Sequence, residues 1–200
     1  YSDMTIECGW EPFFVHQCIV CPQCEYFEQF CSRGLYHNFL SENELLVAKM
    51  VGYLYTGDYT VENDSWNERP TKPNDPTAYL MAVPDVTTSI GHLTFHLKML
   101  ALAEKLYIPG LMKTAEHHVV KALNGMRSKD SFRNAIREIY SAPFEYMYII
   151  RSVAVDYPIA NMKKLRSAGC TGSEKALDNT FLREFPEFSN DLLLEMVDQF

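Results

Sequence analysis

The chain has 200 residues and a formal net charge of −8, and 47% of its residues are hydrophobic, with 12 Phe and 12 Tyr among them. This composition predicts a packed core and excludes a globally disordered chain. Lys and Arg form no basic block, which argues against a nucleic-acid binder. No apolar run approaches the roughly 18 residues that a membrane span needs.

The first predicted elements are a strand, a turn and a return strand. Residues 4–8 alternate between apolar and polar side chains, which is typical of a half-buried strand. Gly9 marks the turn, and the apolar residues 13–15 predict the return strand. Pro12 lacks a backbone donor and therefore indicates that this strand lies at a sheet edge.

Three short helical segments follow. The pattern becomes helical at His16, and Pro22 is expected to open a second short helix over residues 23–31. Ser41, followed by Glu44 three residues later, has the form of a capping box. Apolar residues then mark one face of a helix that glycine 57 closes.

The composition changes at residues 61–90, where four prolines and many Asn, Asp and Thr exclude a long helix. We interpret this segment as a mobile insert. The remainder is predicted to be helical, with a kink or break at Pro158. Helices are expected over residues 92–107 and 109–123, the latter closed by Gly125, and within residues 128–140, 143–166, 173–185 and 189–200.

The opening decapeptide YSDMTIECGW has neither the basic lead nor the apolar block of a signal peptide. The chain starts at Tyr1 rather than at methionine, which indicates a fragment of a longer protein. Five of its six cysteines lie within the first 31 residues, among apolar neighbours. We therefore expect reduced, buried thiols in an intracellular protein of the nucleus or cytoplasm.

Four runs in one order carry a resemblance to a known family. They are SDMTIECG (2–9), FFVH (13–16), GYLYTGDY (52–59) and LALAEKLYIPGL (100–111). Together they resemble a BTB/POZ domain over residues 1–125, and the long insert is similar to the fungal branch of that family. The tail, residues 126–200, contains REIYSAPF and FLREFPEF and resembles the helical extension that follows the domain in those proteins.

The resemblance implies an α+β fold, with a small antiparallel sheet capped by a cluster of helices and followed by a helical extension. It implies a non-catalytic protein–protein interaction module that forms homodimers or associates with a second protein, without a cofactor. An alternative that the family also implies is a substrate adaptor for a cullin-type ubiquitin ligase.

Two departures from the family pattern concern specific residues. Asp3 matches a family residue that lines a charged pocket near the dimer seam, but the opposing Lys is Gln17 here, and Asp3 is alternatively an ordinary residue at the start of the strand. The segment between Gly34 and Glu44 is too short for the whole family strand and its turns. One strand is therefore expected to be deleted or rudimentary, which would expose a sheet edge.

The candidate interaction residues fall in two groups. Aromatic residues that could anchor a partner are Tyr1, Trp10, Phe13 and Tyr36. Family members that bind cullins present an apolar residue, any residue, then Glu. Leu35-Tyr36-His37 lacks the acid, whereas Leu40-Ser41-Glu42 has the form, which makes Leu35, Phe39, Leu40 and Glu42 docking candidates. Alternatively, these residues fill the gap left by the missing strand.

Cys18, Cys21 and Cys24 form the one metal-like cluster in the sequence, since a C-x-x-C spacing on a turn suits zinc. A metal-binding regulatory module is therefore a further alternative. Buried structural thiols are the favoured interpretation, so no metal site is predicted.

The chain lacks the sequence signatures of a catalytic site. The pairs His92/His96 and His117/His118 lack the Glu of a zinc protease and are expected to be surface or partly packed side chains. Neither a nucleophile elbow nor a Gly-rich phosphate loop is present, so an enzyme is not predicted.

Overall fold

The computed structural model describes residues 2–31, 37–38, 42–61, 89–125, 129–141, 147–167 and 177–198. The strands are β1 (Met4–Cys8), β2 (Glu11–Val15) and β3 (His37–Asn38). The helices are α1 (Gln17–Val20), α2 (Glu25–Cys31), α3 (Glu44–Thr56), α4 (Ser89–Lys105), α5 (Pro109–Gly125), α6 (Lys129–Ser141), α7 (Met147–Ala160), α8 (Met162–Arg166), α9 (Asn179–Glu184) and α10 (Pro186–Asp198). This confirms the α+β class; the predicted insert lies outside the described residues apart from its ends.

Strands β1 and β2 form the predicted antiparallel hairpin. Met4 pairs with Val15 at one end and Cys8 with Glu11 at the other, so two residues make the turn. Gly9 takes a φ of +58°, as expected at the first central position of such a turn. A Cβ at Gly9 would lie 2.7 Å from Oε1 of Glu44, but this atom ends a flexible side chain that can move, so the positive φ is what favours glycine here.

The rudimentary strand is β3, which has two residues. It lies beside β1 and gives the sheet order β2-β1-β3. Ile6 and Glu7 of β1 pair with His37 and Asn38 in parallel. The antiparallel description is therefore right for the hairpin, whereas the third strand makes the sheet mixed.

Helix α4 lies at the centre of the hydrophobic core. It packs along α5 and also contacts α3, α6 and α7. Because neighbours surround it, its apolar side chains are buried on all sides, as a core helix requires. Its buried apolar residues are Leu93, Phe95, Leu97, Met99, Leu100, Leu102 and Ala103.

The C-terminal helices share this core. Helix α7 contacts both α4 and α5, and α10 packs on α7 and α9. A second layer of rings from Phe132, Phe181 and Phe188 belongs to the same continuous cluster of buried residues as the inner face of the sheet. The predicted boundary at residue 125 therefore falls between two helices that pack into one core.

Proline positions adjust several predicted helix bounds. Pro22 lies in a 3-10 turn, Cys21–Gln23, and α2 begins only at Glu25. Pro186 is the first residue of α10, which therefore starts three residues earlier than expected. Pro158 lies inside α7, which ends two residues later.

The predicted cap of α3 is wrong. The N-cap is Asn43 rather than Ser41, and its side chain accepts hydrogen bonds from the backbone N–H groups of Leu45 at 2.9 Å and Leu46 at 3.3 Å. Asn and Ser are comparable caps, so the residue that adopts extended backbone next to the helix decides which is used.

Removing this cap has a measurable consequence. We expect Asn43→Ala to lower the free energy of unfolding by about 1 kcal/mol, because two backbone donors lose their partner. Urea denaturation followed by circular dichroism measures the change. The matched control is Asn190→Ala, at an exposed position within α10, where we expect a change below about 0.5 kcal/mol. Equal losses in both variants would contradict the capping role.

Candidate interaction surface

The outer face of the β1–β2 hairpin carries exposed aromatic side chains. Ile6, Cys8 and Val15 point into the core and are fully buried. Because side chains alternate along a strand, Phe14 and Pro12 lie on the opposite face, where Phe14 is 67% exposed.

The turn extends this apolar surface. Trp10, next to Gly9, is 79% exposed. Large exposed aromatic residues at neighbouring positions are a frequent mark of protein–protein contact. Trp10, Pro12 and Phe14 are called the hairpin patch below.

Phe13 and Phe14 lie on opposite faces of β2. Phe13, predicted as a surface anchor, lies on the same strand face as Val15 and packs partly buried against the core. Phe14 was missed. Counting back in steps of two from a buried Val15 would have placed Phe13 inside and Phe14 outside.

Asp3 holds the start of α1 rather than a cationic side chain. Its Oδ1 accepts a hydrogen bond from the backbone N–H of Gln17 at 2.8 Å, and the Gln17 amide donates to the Asp3 carbonyl at 3.0 Å. The two positions that the sequence resemblance predicts to lie opposite each other therefore do meet. A neutral amide makes the contact, so the side-chain ion pair expected for a Lys at this position is replaced by hydrogen bonds.

A second contact ties the end of the hairpin to α3. The Tyr55 hydroxyl accepts from the backbone N–H of His16 at 2.9 Å and lies 2.8 Å from His16 Nδ1. The hydroxyl can donate to Nδ1 while it accepts from the backbone, so both groups are satisfied. This contact anchors the hairpin at its base, next to His16, whereas the hairpin patch extends from near the base to the turn.

Within the predicted cullin-docking segment, the structure describes only His37, Asn38 and Glu42. Leu35, Tyr36, Phe39 and Leu40 lie outside the described residues, as does Tyr1. The carboxylate of Glu42 forms an ion pair with Lys105 Nζ at 2.8 Å, and the Glu42 side chain is 19% exposed. An acid held inside the chain in this way is poorly placed to bind a partner.

The cysteine prediction is partly wrong. Cys8 and Cys24 are free and buried, as predicted, but Cys18 is an exposed thiol and Cys21 is disulfide-bonded. The buried Cys24 Sγ donates to the carbonyl of Leu106 at 3.0 Å. Within the described ranges, no three His, Cys, Asp or Glu side chains come together as a metal site. Cys18, Cys21 and Cys24 therefore differ in environment: the first is exposed, the second is disulfide-bonded and the third is a buried free thiol.

Burial controls the chemistry of the two inner thiols. It raises the pKa of Cys8 to about 12, and the nearby carboxylates of Glu44 and Glu42 act in the same direction. Burial also raises the pKa of Cys24, to about 11. Both groups are therefore protonated at neutral pH and are weak nucleophiles and poor metal ligands.

An open cleft of about 400 Å³ lies between the start of α2 and the start of α5. Glu25 and Glu28 contribute carboxylates to one wall, and Tyr107 and Met112 contribute apolar surface to the other. Tyr107 has a φ of +52°, an uncommon value for a bulky residue, in the connection between α4 and α5. Sequence reasoning did not identify this cleft, because its walls are far apart along the chain.

Comparison with known proteins adds no assignment. The sequence matches no protein-family model, and it matches no curated protein. In the part of the chain that the structure describes, no helix has the length and apolar character needed to cross a membrane.

Proposed function

We propose that this chain is a non-catalytic protein–protein interaction module of BTB/POZ type, and that it associates through the hairpin patch, with itself or with a second protein. The exposure of Trp10 at the turn and of Phe14 on the outer face of the hairpin carries the proposal. The four sequence runs that resemble the family, and the α+β architecture with its helical extension, support the same assignment.

The hairpin patch suits association through its face more than through its edge. Among the strands that the structure describes, β2 lies at the edge of the sheet, and an added strand would have to pair with its backbone. Pro12 has no N–H to offer, so one rung of such a ladder is missing. Aromatic side chains on an exposed sheet face, in contrast, are typical anchors of an interface.

Two aromatic residues do not make a whole interface. A stable complex buries about 800 Å² on each partner, which is more than the exposed parts of two side chains provide. The partner would therefore also cover neighbouring surface, which includes Tyr55, 42% exposed beside the hairpin base.

Light scattering on the purified chain tests self-association. We expect a mass near twice 23.1 kDa at tens of micromolar. Trp10→Ala combined with Phe14→Ala is expected to weaken association at least about 30-fold, because truncating a central aromatic anchor costs about 2 kcal/mol or more. The control is Leu193→Ala, which removes an exposed apolar side chain from α10.

Two results would differ from this expectation, and only the second would contradict the role of the hairpin patch. A monomer for the unmodified chain would exclude self-association and leave a second protein as the partner. A dimer that persists in the double variant would show that another surface mediates association. The adaptor role in a ubiquitin ligase and the metal-binding role stay predictions from sequence, and no contact described above favours either one.

A further inference from the structure

Two histidines from neighbouring helices stack where the chain leaves α3. The rings of His96 in α4 and His118 in α5 lie 4.9 Å apart and 10° from parallel. The Tyr59 hydroxyl is 2.9 Å from His96 Nδ1, and Asp58 Oδ1 is 2.9 Å from His118 Nε2. Asp58 and Tyr59 directly follow Gly57, so these two bonds attach residues 57–61 to the α4–α5 pair.

Tyr59 and His96, one of the two hydrogen-bonded pairs in this cluster, are buried. Tyr59 is 4% exposed and His96 is 7% exposed, which corrects the expectation of surface or partly packed histidines for this member of the pair. Burial, with the Asp58 charge adding to it, raises the pKa of Tyr59, so its hydroxyl stays protonated. A buried hydroxyl needs a partner, and a neutral imidazole with an unprotonated Nδ1 can accept from it.

The surroundings of His96 disfavour its protonated form. Burial lowers the pKa of His96 to about 3, and the positive charges of His118, His92 and Lys121 act in the same direction. These groups come from α4 itself and from α5. From α6, Glu138 accepts from the Thr94 hydroxyl at 3.2 Å rather than from His96. Asp58, the acid of the cluster, bonds to His118 instead.

We propose that Asp58, Tyr59, His96 and His118 form a pH-sensitive latch, which holds residues 57–61 against the α4–α5 pair at neutral pH and releases them on acidification. The release requires that His96 bind a proton once it reaches water. The Asp58–His118 bond does not drive it, because the hydrogen bond from His118 lowers the pKa of Asp58 and keeps this carboxylate ionised.

The direction of the pH effect follows from linkage. In the open form His96 binds a proton near its ordinary pKa of 6.5, whereas in the closed form the pKa is about 3. The stabilisation is therefore complete above pH 6.5 and is lost as the pH falls toward 3. Within this window, opening becomes about tenfold more favourable for each pH unit.

Hydrogen exchange followed by mass spectrometry tests the latch. The backbone N–H groups of Gly57, Asp58 and Tyr59 bond to Tyr53, Thr56 and Asp58 respectively, all within the turn that the latch holds. Their exchange requires this turn to open, which we expect to be easier once the turn is released from the α4–α5 pair. After correction for the intrinsic effect of pH on exchange, we expect protection of residues 57–61 to fall about 50-fold from pH 6.5 to pH 4.5. His96→Gln, which can accept from Tyr59 but cannot become charged, should abolish this dependence.

The matched control is His117→Gln, at an exposed position beside His118 that bonds to neither Asp58 nor Tyr59. It should keep the full dependence. A pH dependence that survives in His96→Gln, or that is absent from the unmodified chain, would overturn the proposal. Should His96→Gln fail to fold, the His96 ring protons decide the point by NMR: no titration above pH 5 supports the latch, and a midpoint near 6.5 contradicts it.

Discussion

Replacing Phe181 with alanine is expected to lower the free energy of unfolding by about 3–5 kcal/mol, since it leaves a large cavity in a packed core. Phe181 is fully buried. The rings of Phe132, Phe185 and Phe188 lie within 6.3 Å of its ring centre, and the Arg133 guanidinium lies 5.1 Å above it. Rings from three segments meet at this side chain, so the site cannot close by moving one neighbour.

Urea denaturation followed by circular dichroism measures this effect. Leu193→Ala removes a leucine that is 61% exposed on α10 and should change the free energy of unfolding by less than about 0.5 kcal/mol. Because the C-terminal helices belong to the same buried cluster as the sheet, we expect Phe181→Ala to shift a single transition. A separate early transition in the variant would show that residues 129–198 unfold on their own.

The described free cysteines are expected to differ in alkylation rate by about 1000-fold or more at pH 8. The pKa of Cys8 is raised from 9.0 to about 12 by burial and by two neighbouring carboxylates. Its thiolate fraction is then about 1000-fold below that of an ordinary thiol, and the thiolate is the species that reacts. Cys24, with a pKa of about 11, should be about 100-fold below. Exclusion of the reagent from the core adds to both factors.

Iodoacetamide labelling with peptide mass spectrometry gives a rate for each cysteine. In the native chain Cys18, the exposed thiol, should be labelled first. Cys18→Ser removes this fast reaction and identifies it. In urea, where burial is lost, Cys8 and Cys18 should react at similar rates. Native labelling of Cys8 within tenfold of Cys18 would refute the buried assignment.

Local patterns predicted the hairpin and the long helices well. Residues 4–8, Gly9 and the Ile108-Pro109 stop between α4 and α5 each depend on neighbours in sequence, so the sequence itself contains the signal. Caps were harder, because Ser41 and Asn43 are both good cap residues and tertiary packing decides between them. The predicted kink or break at Pro158 was misplaced, because Pro158 lies inside α7 and the break between α7 and α8 follows Ala160.

The site was less predictable than the fold. The hairpin patch required only strand alternation, yet two adjacent phenylalanines made the inward and outward assignment ambiguous until the buried strand end was known. The latch was unpredictable from local pattern. Its members lie on three segments, with Tyr59 separated from His96 by 37 residues and Asp58 from His118 by 60.

The two-residue strand β3 has a consequence for the order of folding. The β1–β2 hairpin closes over a two-residue turn, and such a hairpin forms within about 1–10 μs. Strand β3 follows α1 and α2 along the chain, and it pairs in parallel with the side of β1 opposite β2. Closing that longer loop forms only two residue pairs, which do little to offset its entropic cost until the helices hold the chain ends together. We therefore expect the sheet to grow outward from the hairpin, with its third strand added after the helices have begun to pack.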